Sequence, residues 1–122
     1  MKKILVVEDN EDNQLLVTRF LKREGYIVVI AGDGASGVQM AQSERPDLIL
    51  MDLSLPGIDG WEATRRIKAN PKTRSIPIIA LTAHAFEADV AKAVAAGCIA
   101  YETKPVAYER LMKKIDSMVN PV

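Results

Sequence analysis

Polar residues with complementary chemistry stand at the ends of four short apolar runs in this chain. They are Glu8 and Asp9 after 4–7, Asp52 at the end of 48–52, Thr82 after 78–81, and Lys104 after the stretch around Tyr101. A charge after such a run is expected at the rim of a buried strand. Gathered at one edge of a sheet, these residues would form a small acidic site with a lysine and a hydroxyl beside it.

Three carboxylates cannot share such a site without compensation. Two like charges about 4 Å apart repel by roughly 4 kcal/mol at an effective dielectric of 20, so raised pKa values or a bound cation are needed. Mg²⁺ suits a few carboxylates together with waters and phosphate oxygens. Lys104 and Thr82 could then donate to a phosphoryl group, and an Asp carboxylate such as Asp52 can act as a nucleophile that forms an acyl phosphate.

Each acid, taken singly, also has a structural interpretation. Asp9 and Asp12 could cap the first helix, and Asp52 could cap a turn. That interpretation does not explain why an acid pair, an acid, a hydroxyl and a lysine end successive apolar runs in this order. The joint pattern therefore favours a functional site.

The elements that must position these residues alternate regularly along the chain. Apolar runs predict strands at 4–7, 27–31, 48–51, 76–81 and 99–103, and helical patterns lie at 12–24, 35–43, 61–69, 85–96 and 106–118. The runs at 4–7 and 27–31 are expected to be buried, and the apolar positions of the first helix are Leu16, Val17, Phe20 and Leu21. Such alternation predicts a parallel sheet with right-handed crossovers. Its ligand site is expected outside the carboxyl ends of the strands, where strand order reverses.

Size and composition set the class of protein. The 122 residues predict one domain, 1–122, and 48% hydrophobic with 26% charged residues is typical of a soluble globular protein. Zero net charge gives no argument for nucleic-acid or membrane binding. Cys98 is the only cysteine, which predicts a buried apolar role and a reducing compartment, and the single histidine, His84, excludes a multi-histidine metal site. Without a signal-peptide core or membrane-spanning run, a cytoplasmic location is expected.

Several segments, in this order, carry a family resemblance. They are Val7-Glu8-Asp9-Asn10, Leu50-Met51-Asp52, Leu55-Pro56-Gly57-Ile58-Asp59-Gly60, Leu81-Thr82-Ala83 and Lys104-Pro105. Over essentially its whole length the chain resembles the receiver domains of bacterial response regulators, the CheY-like family. The resemblance implies an α/β fold: a (βα)5 flavodoxin-like three-layer sandwich whose five-stranded parallel sheet has the order 2-1-3-4-5. The first segment with Asn13 is more similar to receivers of hybrid kinases and DivK-like cell-cycle relays than to chemotaxis regulators.

The resemblance also implies roles for individual residues. Asp52 would be the phosphoacceptor, Lys104 would contact the phosphoryl oxygens, and Mg²⁺ would be held by Glu8, Asp9, Asp52 and the backbone carbonyl of Ser54. The Lys104-Pro105 bond is expected to be cis. Thr82 would move toward the phosphoryl group and the ring of Tyr101 would turn inward with it, as a two-state switch. Ser54 and His84 fall where the lifetime of the phosphoryl group is tuned.

The implied function is that of a single-domain response regulator. It would accept a phosphoryl group from a phosphohistidine of a sensor histidine kinase or a histidine phosphotransfer protein, assisting its own phosphorylation and dephosphorylation without being a turnover enzyme. We expect no output domain after Val122, and therefore signalling to a downstream protein through the fourth helix, fifth strand and fifth helix, with Phe86, Val90 and Tyr101 as contacts. A monomer or weak dimer is expected, with no direct nucleic-acid contact and no membrane insertion.

The sequence is also compatible with other functions. A receiver fold could serve as an adaptor without phosphorylation, although the intact set of acids, threonine and lysine argues against it. Gly32, Gly34 and Gly37 fit a dinucleotide-binding pattern, with Asp52 twenty residues after Gly32. That pattern follows the second strand rather than the first and leaves Thr82 and Lys104 without roles. An aspartyl-phosphate phosphatase would need a second Asp where Ser54 stands.

Overall fold

Five strands alternate with five helices in the computed structural model, which describes residues 1–55, 57–82, 87–104 and 106–120, apart from the side chains of 87–90 and 93. The strands are β1 (Lys3–Val7), β2 (Ile27–Ala31), β3 (Leu48–Asp52), β4 (Ile78–Thr82) and β5 (Ala100–Thr103). The helices are α1 (Glu11–Arg23), α2 (Gly34–Glu44), α3 (Gly60–Ala69), α4 (Glu87–Ala96) and α5 (Tyr108–Val119). Each predicted element is present with its ends within two residues of the prediction, and the predicted first residues of α4 lie outside the described ones.

The sheet is parallel throughout and has the order β2-β1-β3-β4-β5, which confirms the predicted fold. Strand order reverses between β1 and β3. In the register, Val7 pairs with Met51 and Asp52 pairs with Leu81. The carboxyl ends of β1, β3 and β4 therefore meet at one edge of the sheet.

Side chains on the two faces of the sheet form two separate cores, because successive residues of a strand point to opposite faces. One core joins the sheet to α2 and α3 and contains Leu5, Val7, Ile49, Met51, Ala41, Ala63 and Ile67. The other joins it to α1 and α5 and contains Ile4, Val6, Leu48, Leu50, Leu21, Leu111 and Ile115. Each fully buried Leu or Ile contributes about 1.5–3 kcal/mol relative to exposure. The result is a three-layer sandwich in which β1 and β3 lie in the central layer, covered by helices on both faces.

Burial differs from the prediction at two places. The run at 27–31 was expected to be buried, but Ile27 is 41% exposed and only Ala31 of β2 is fully buried. The reason is that β2 is an edge strand with a neighbour on one side only. In α1, Leu16 is 50% exposed while Val17 and Leu21 are buried, so the buried stripe is narrower than expected. None of the helices in the described ranges is long and apolar enough to cross a membrane.

The first helix is capped by Asn10, whose side chain accepts a hydrogen bond from the backbone N–H of Asn13 at 3.0 Å. The interpretation in which Asp9 or Asp12 provides this cap is therefore wrong, since Asn10 already satisfies the helix end. Asp12 lies in the first turn instead, where a negative charge interacts favourably with the helix dipole. Asp9 is exposed, and its carboxylate is not used to cap the helix.

Two glycines of the dinucleotide-like pattern serve packing. A Cβ on Gly37 would lie 2.9 Å from Cγ2 of Val7, and one on Gly34 would overlap the backbone carbonyl of Ile58. These close approaches let α2 lie directly against β1 and against the segment that leads into α3. Close packing thus explains Gly34 and Gly37, two of the three glycines in the pattern.

Candidate functional site

Three carboxylates converge where the carboxyl ends of β1 and β3 meet. Glu8 follows β1, with its backbone N–H bonded to the carbonyl of Ala31 at 3.0 Å, and Asp52 is the last residue of β3. Both are 2% exposed, whereas Asp9 faces solvent. One carboxylate oxygen from each of the three lies within 4.8 Å of the others. The predicted acidic cluster is therefore present, buried on one side and open to solvent on the other.

Lys104 reaches into this cluster from the end of β5. Its Nζ lies 3.0 Å from Oδ2 of Asp52 and 3.4 Å from Oε1 of Glu8. The backbone N–H of Lys104 donates to the carbonyl of Thr82 at 2.7 Å, which ties the end of β5 to the end of β4. Lys104 thus connects the end of β5 to Glu8 and Asp52 through ion pairs and to the end of β4 through a backbone hydrogen bond.

Backbone hydrogen bonds orient the two buried carboxylates. The N–H of Ser54 donates to Oδ1 of Asp52 at 2.9 Å, and the N–H of Asn10 donates to Oε2 of Glu8 at 3.3 Å. The side-chain amide of Gln14 donates to the backbone carbonyl of Glu8 at 2.6 Å. Asp52 therefore presents Oδ1 held by a rigid backbone amide and Oδ2 held by a flexible lysine side chain.

Burial and the crowding of carboxylates shift the pKa values of Glu8 and Lys104. Burial, the hydrogen bond with Asp52 and the charge of Asp52 raise the pKa of Glu8 to about 7, although the Asn10 amide and Lys104 act in the opposite direction. Burial alone would lower the pKa of Lys104, but its contacts with Asp52 and Glu8 outweigh burial and raise it. The site thus holds a proton near neutral pH that a cation could replace.

The donor set suits a hard divalent cation. All three side chains offer oxygen, and oxygen ligands are those that Mg²⁺ and Ca²⁺ take in proteins. Within the described ranges no other group of three acidic, histidine or cysteine side chains is placed closely enough to hold a metal ion. Glu8, Asp9 and Asp52 are therefore the residues that could bind one.

The other predicted site residues surround this cluster. Thr82 ends β4 and is 6% exposed, and Ser54 is exposed beside Asp52. Tyr101, on β5, is 38% exposed. His84, Phe86 and Pro105, together with the side chain of Val90, lie outside the described residues.

Sequence reasoning did not single out every residue at the site. Gln14 supports the backbone of Glu8 from α1, and Tyr108 lies close enough to Glu8 that burial, followed by the Glu8 charge, raises the pKa of its hydroxyl. No local pattern marks either residue, because both contacts depend on where α1 and α5 pack. A polar residue in the first turn of α1 was the only available signal for Gln14.

Comparison with known proteins gives a consistent picture. The family model for the response regulator receiver domain matches residues 4–116. The chain is 38% identical over 116 residues to the polar-differentiation response regulator DivK of Brucella anthropi, covering 95% of this chain and 94% of that protein. It is 36% identical over 119 residues to the protein PilH of Pseudomonas aeruginosa, with 98% of each chain covered. The similarity to DivK confirms the predicted resemblance.

Solved structures agree with the sequence relatives. The receiver domain of a Pseudomonas aeruginosa sensor histidine kinase, crystallised with a magnesium ion coordinated in its active-site cleft, superposes with a TM-score of 0.90 at 40% identity over 97% of each chain. The chemotaxis protein CheY4 of Vibrio cholerae superposes with a TM-score of 0.91 at 28% identity, covering 97% of this chain and 98% of that one. The arrangement of strands and helices is thus shared with both.

Proposed function

The chain belongs to the response regulator receiver domain family, and from that membership we propose that it accepts a phosphoryl group on Asp52 in two-component signalling. The observation that carries the proposal is the position of Asp52: a buried carboxylate at a strand end, 3.0 Å from Lys104 and grouped with two further acids. The proposed donor is a phosphohistidine of a sensor histidine kinase or a histidine phosphotransfer protein.

The hydrogen bonds of Asp52 suggest which oxygen reacts. Oδ1 is held by a backbone N–H, that of Ser54, whereas Oδ2 is held by the flexible side chain of Lys104, so Oδ2 is the oxygen that can more readily be released to attack phosphorus. As the Oδ2–P bond forms, the P–N bond to the donor imidazole breaks and its electron pair remains on that nitrogen, which takes up a proton. Lys104 Nζ can then move from Oδ2 to a phosphoryl oxygen without leaving the site, and the acyl phosphate is stabilised by that charge-assisted hydrogen bond.

Mg²⁺ is the proposed cofactor, held by Glu8, Asp9, Asp52 and the backbone carbonyl of Ser54. When bound, it would offset the mutual repulsion of the carboxylates and the negative charge of the phosphoryl group. The raised pKa of Glu8 and the all-oxygen donor set support this assignment. So does the similar receiver domain that was crystallised with magnesium in its cleft.

Signalling would follow from a shift in Thr82 and Tyr101 on neighbouring strands β4 and β5. The register pairs Thr82 with Thr103, beside Lys104, so a new contact between Thr82 and the phosphoryl group would act directly on β5. We propose that the readout face consists of α4, β5 and α5 and that it binds a downstream protein in the cytoplasm. The domain promotes its own phosphorylation and hydrolysis and has no external substrate to turn over.

Phosphoryl transfer from small donors tests this proposal. The protein is incubated with phosphoramidate, whose P–N bond mimics phosphohistidine, or with acetyl phosphate, with and without Mg²⁺, and analysed by intact mass spectrometry. We expect one phosphoryl group on the wild type only with Mg²⁺, none on Asp52→Asn, and normal labelling of Asp12→Asn, which removes an exposed acid of α1.

Labelling of Asp52→Asn would contradict the proposal, as would the absence of label on wild type with both donors. The adaptor alternative makes a different prediction, since binding of a downstream protein would then be the same in wild type and Asp52→Asn. Calorimetric binding of NAD would instead favour the dinucleotide alternative.

A further inference from the structure

A buried carboxylate lies on β5 outside the phosphoacceptor site. Glu102 is 2% exposed, and a buried ionised carboxylate is stable only where cations and hydrogen bonds compensate for the lost water. Arg110 and Lys114, one turn apart on α5, supply them. Nε of Arg110 lies 2.9 Å from Oε1 of Glu102, and Nζ of Lys114 bonds to Oε2. Glu102 thus fixes the position of both cations on the surface of β5.

The two cations are placed differently with respect to Tyr101. Arg110 is 61% exposed and forms an ion pair with Glu102, whereas Lys114 is 34% exposed and is the more buried of the two cations. Lys114 Nζ also donates to the backbone carbonyl of Tyr101 at 2.7 Å. With two hydrogen bonds to adjacent residues of β5, the ammonium group has little freedom to move.

The ring of Tyr101 lies beside this held ammonium group. Nζ of Lys114 is 5.6 Å from the ring centroid, within the range of a cation–π interaction, while the ring is in its outward, 38% exposed position. Rotation about the Cα–Cβ bond toward the interior would carry the ring off the ammonium, which Glu102 and the strand carbonyl hold in place. We therefore expect the contact to be lost when the ring of Tyr101 turns inward.

We propose that Lys114 is a positioning residue, anchored by Glu102, that holds the ring of Tyr101 outward in the unphosphorylated protein. The inference rests on the proposed switch role of Tyr101 and adds the residue that sets its resting position. An exposed cation–π contact changes the equilibrium between two ring positions by roughly two- to fivefold. Loss of Lys114 should favour the inward ring by that factor.

The chain offers matched variants for this test. Lys114→Met removes the ammonium but keeps the aliphatic stem, and Lys113→Met makes the same change at the adjacent, exposed position of α5. Lys114→Arg retains a cation that can bind Glu102 and stack on Tyr101. In each variant Arg110 still compensates Glu102, and urea unfolding verifies that the protein remains folded.

The position of Tyr101 can be followed by fluorine NMR of protein labelled with 3-fluorotyrosine. Its resonance is identified by its loss in Tyr101→Phe, and ring exposure is measured as the shift between H₂O and D₂O. Without phosphoryl analogue, we expect this solvent shift to be smaller in Lys114→Met than in wild type, Lys113→Met and Lys114→Arg. Titration with beryllofluoride in Mg²⁺ should then reach half-saturation at a roughly two- to fivefold lower concentration in Lys114→Met.

Tighter beryllofluoride binding is a result that simple structural damage would not produce, since damage weakens binding. An equal solvent shift in Lys114→Met and Lys113→Met would overturn the proposal, as would unchanged or weaker beryllofluoride binding by Lys114→Met when the wild type responds. Failure of the proposed function would look different: the wild-type Tyr101 resonance would not respond to beryllofluoride. The solvent shifts measured without beryllofluoride would still decide the role of Lys114.

Discussion

Raising the pH from 6 to 8 should strengthen Mg²⁺ binding about tenfold, because Glu8 must lose its proton to act as a ligand. With a pKa of about 7 for Glu8, about one molecule in eleven has Glu8 ionised at pH 6 and about ten in eleven at pH 8. The apparent affinity follows that fraction. Lys104 does not contribute to the change, since its pKa is raised above an already high value.

The same proton affects stability in the absence of metal. The pKa of Glu8 is higher in the folded protein than its ordinary value of 4.5, so the folded state binds more protons between those values. The corresponding stability is fully present below 4.5 and is lost as the pH rises through about 7. The contribution of Glu8 to the unfolding free energy should therefore fall between pH 5 and 8, by up to about 3 kcal/mol, and Mg²⁺ should offset that loss.

Isothermal titration calorimetry with Mg²⁺ measures both the affinity and the protons released. In two buffers with different ionisation enthalpies, we expect release of nearly one proton per Mg²⁺ at pH 6 and about a tenth of one at pH 8. Glu8→Gln is the control, because it removes the titration of Glu8 and keeps a side chain of similar size at the site. Should Glu8→Gln keep a tenfold change, or the wild type change by less than about twofold, the reasoning about Glu8 is refuted.

Two further predictions concern the segments that support the site, and urea unfolding checks both. Gly60→Ala should destabilise the protein by about 1–3 kcal/mol, because the added Cβ would lie 2.6 Å from Cα of Leu53. Gly32→Ala is the control and should be nearly neutral, because no atom lies within 4 Å of its Cβ. Equal effects of the two substitutions would contradict the packing argument. Asn10→Ala should lower the free energy of unfolding by about 1 kcal/mol, because it removes the cap on the N–H of Asn13. Asn10→Ser should retain most of the wild-type stability, because serine can also cap a helix. Unchanged stability in Asn10→Ala would mean that the cap is dispensable.

Much of the fold followed from local pattern. Short, mainly apolar runs of four to six residues predicted every strand, and their alternation with helical segments predicted the parallel sheet. The strand order came from the family resemblance. The ends of elements were less accurate by one or two residues, because capping at positions such as Asn10 decides them.

Errors arose where a contact depends on elements far apart in sequence. The run 27–31 has the composition of a buried strand, yet its place at the edge of the sheet exposes Ile27. No local pattern marks Glu102 as buried, and its burial depends on its contacts with Arg110 and Lys114 of α5. Lateral position in a sheet and the docking of a helix leave no periodic signal in a single strand.

The sequence by itself determined which chemical groups end the strands: Glu8, Asp9, Asp52, Thr82 and Lys104, in an order that indicated an acidic, phosphoryl-binding edge. That was possible because parallel strands place their carboxyl ends together whatever their exact register. Only the tertiary structure decided the distances between these groups, and those distances, together with burial, set the pKa of Glu8. Lys104 lies 3.0 Å from Asp52, and burial beside Asp52 brings the pKa of Glu8 to about 7. Such values depend on burial and separation in three dimensions, which residue types alone do not specify.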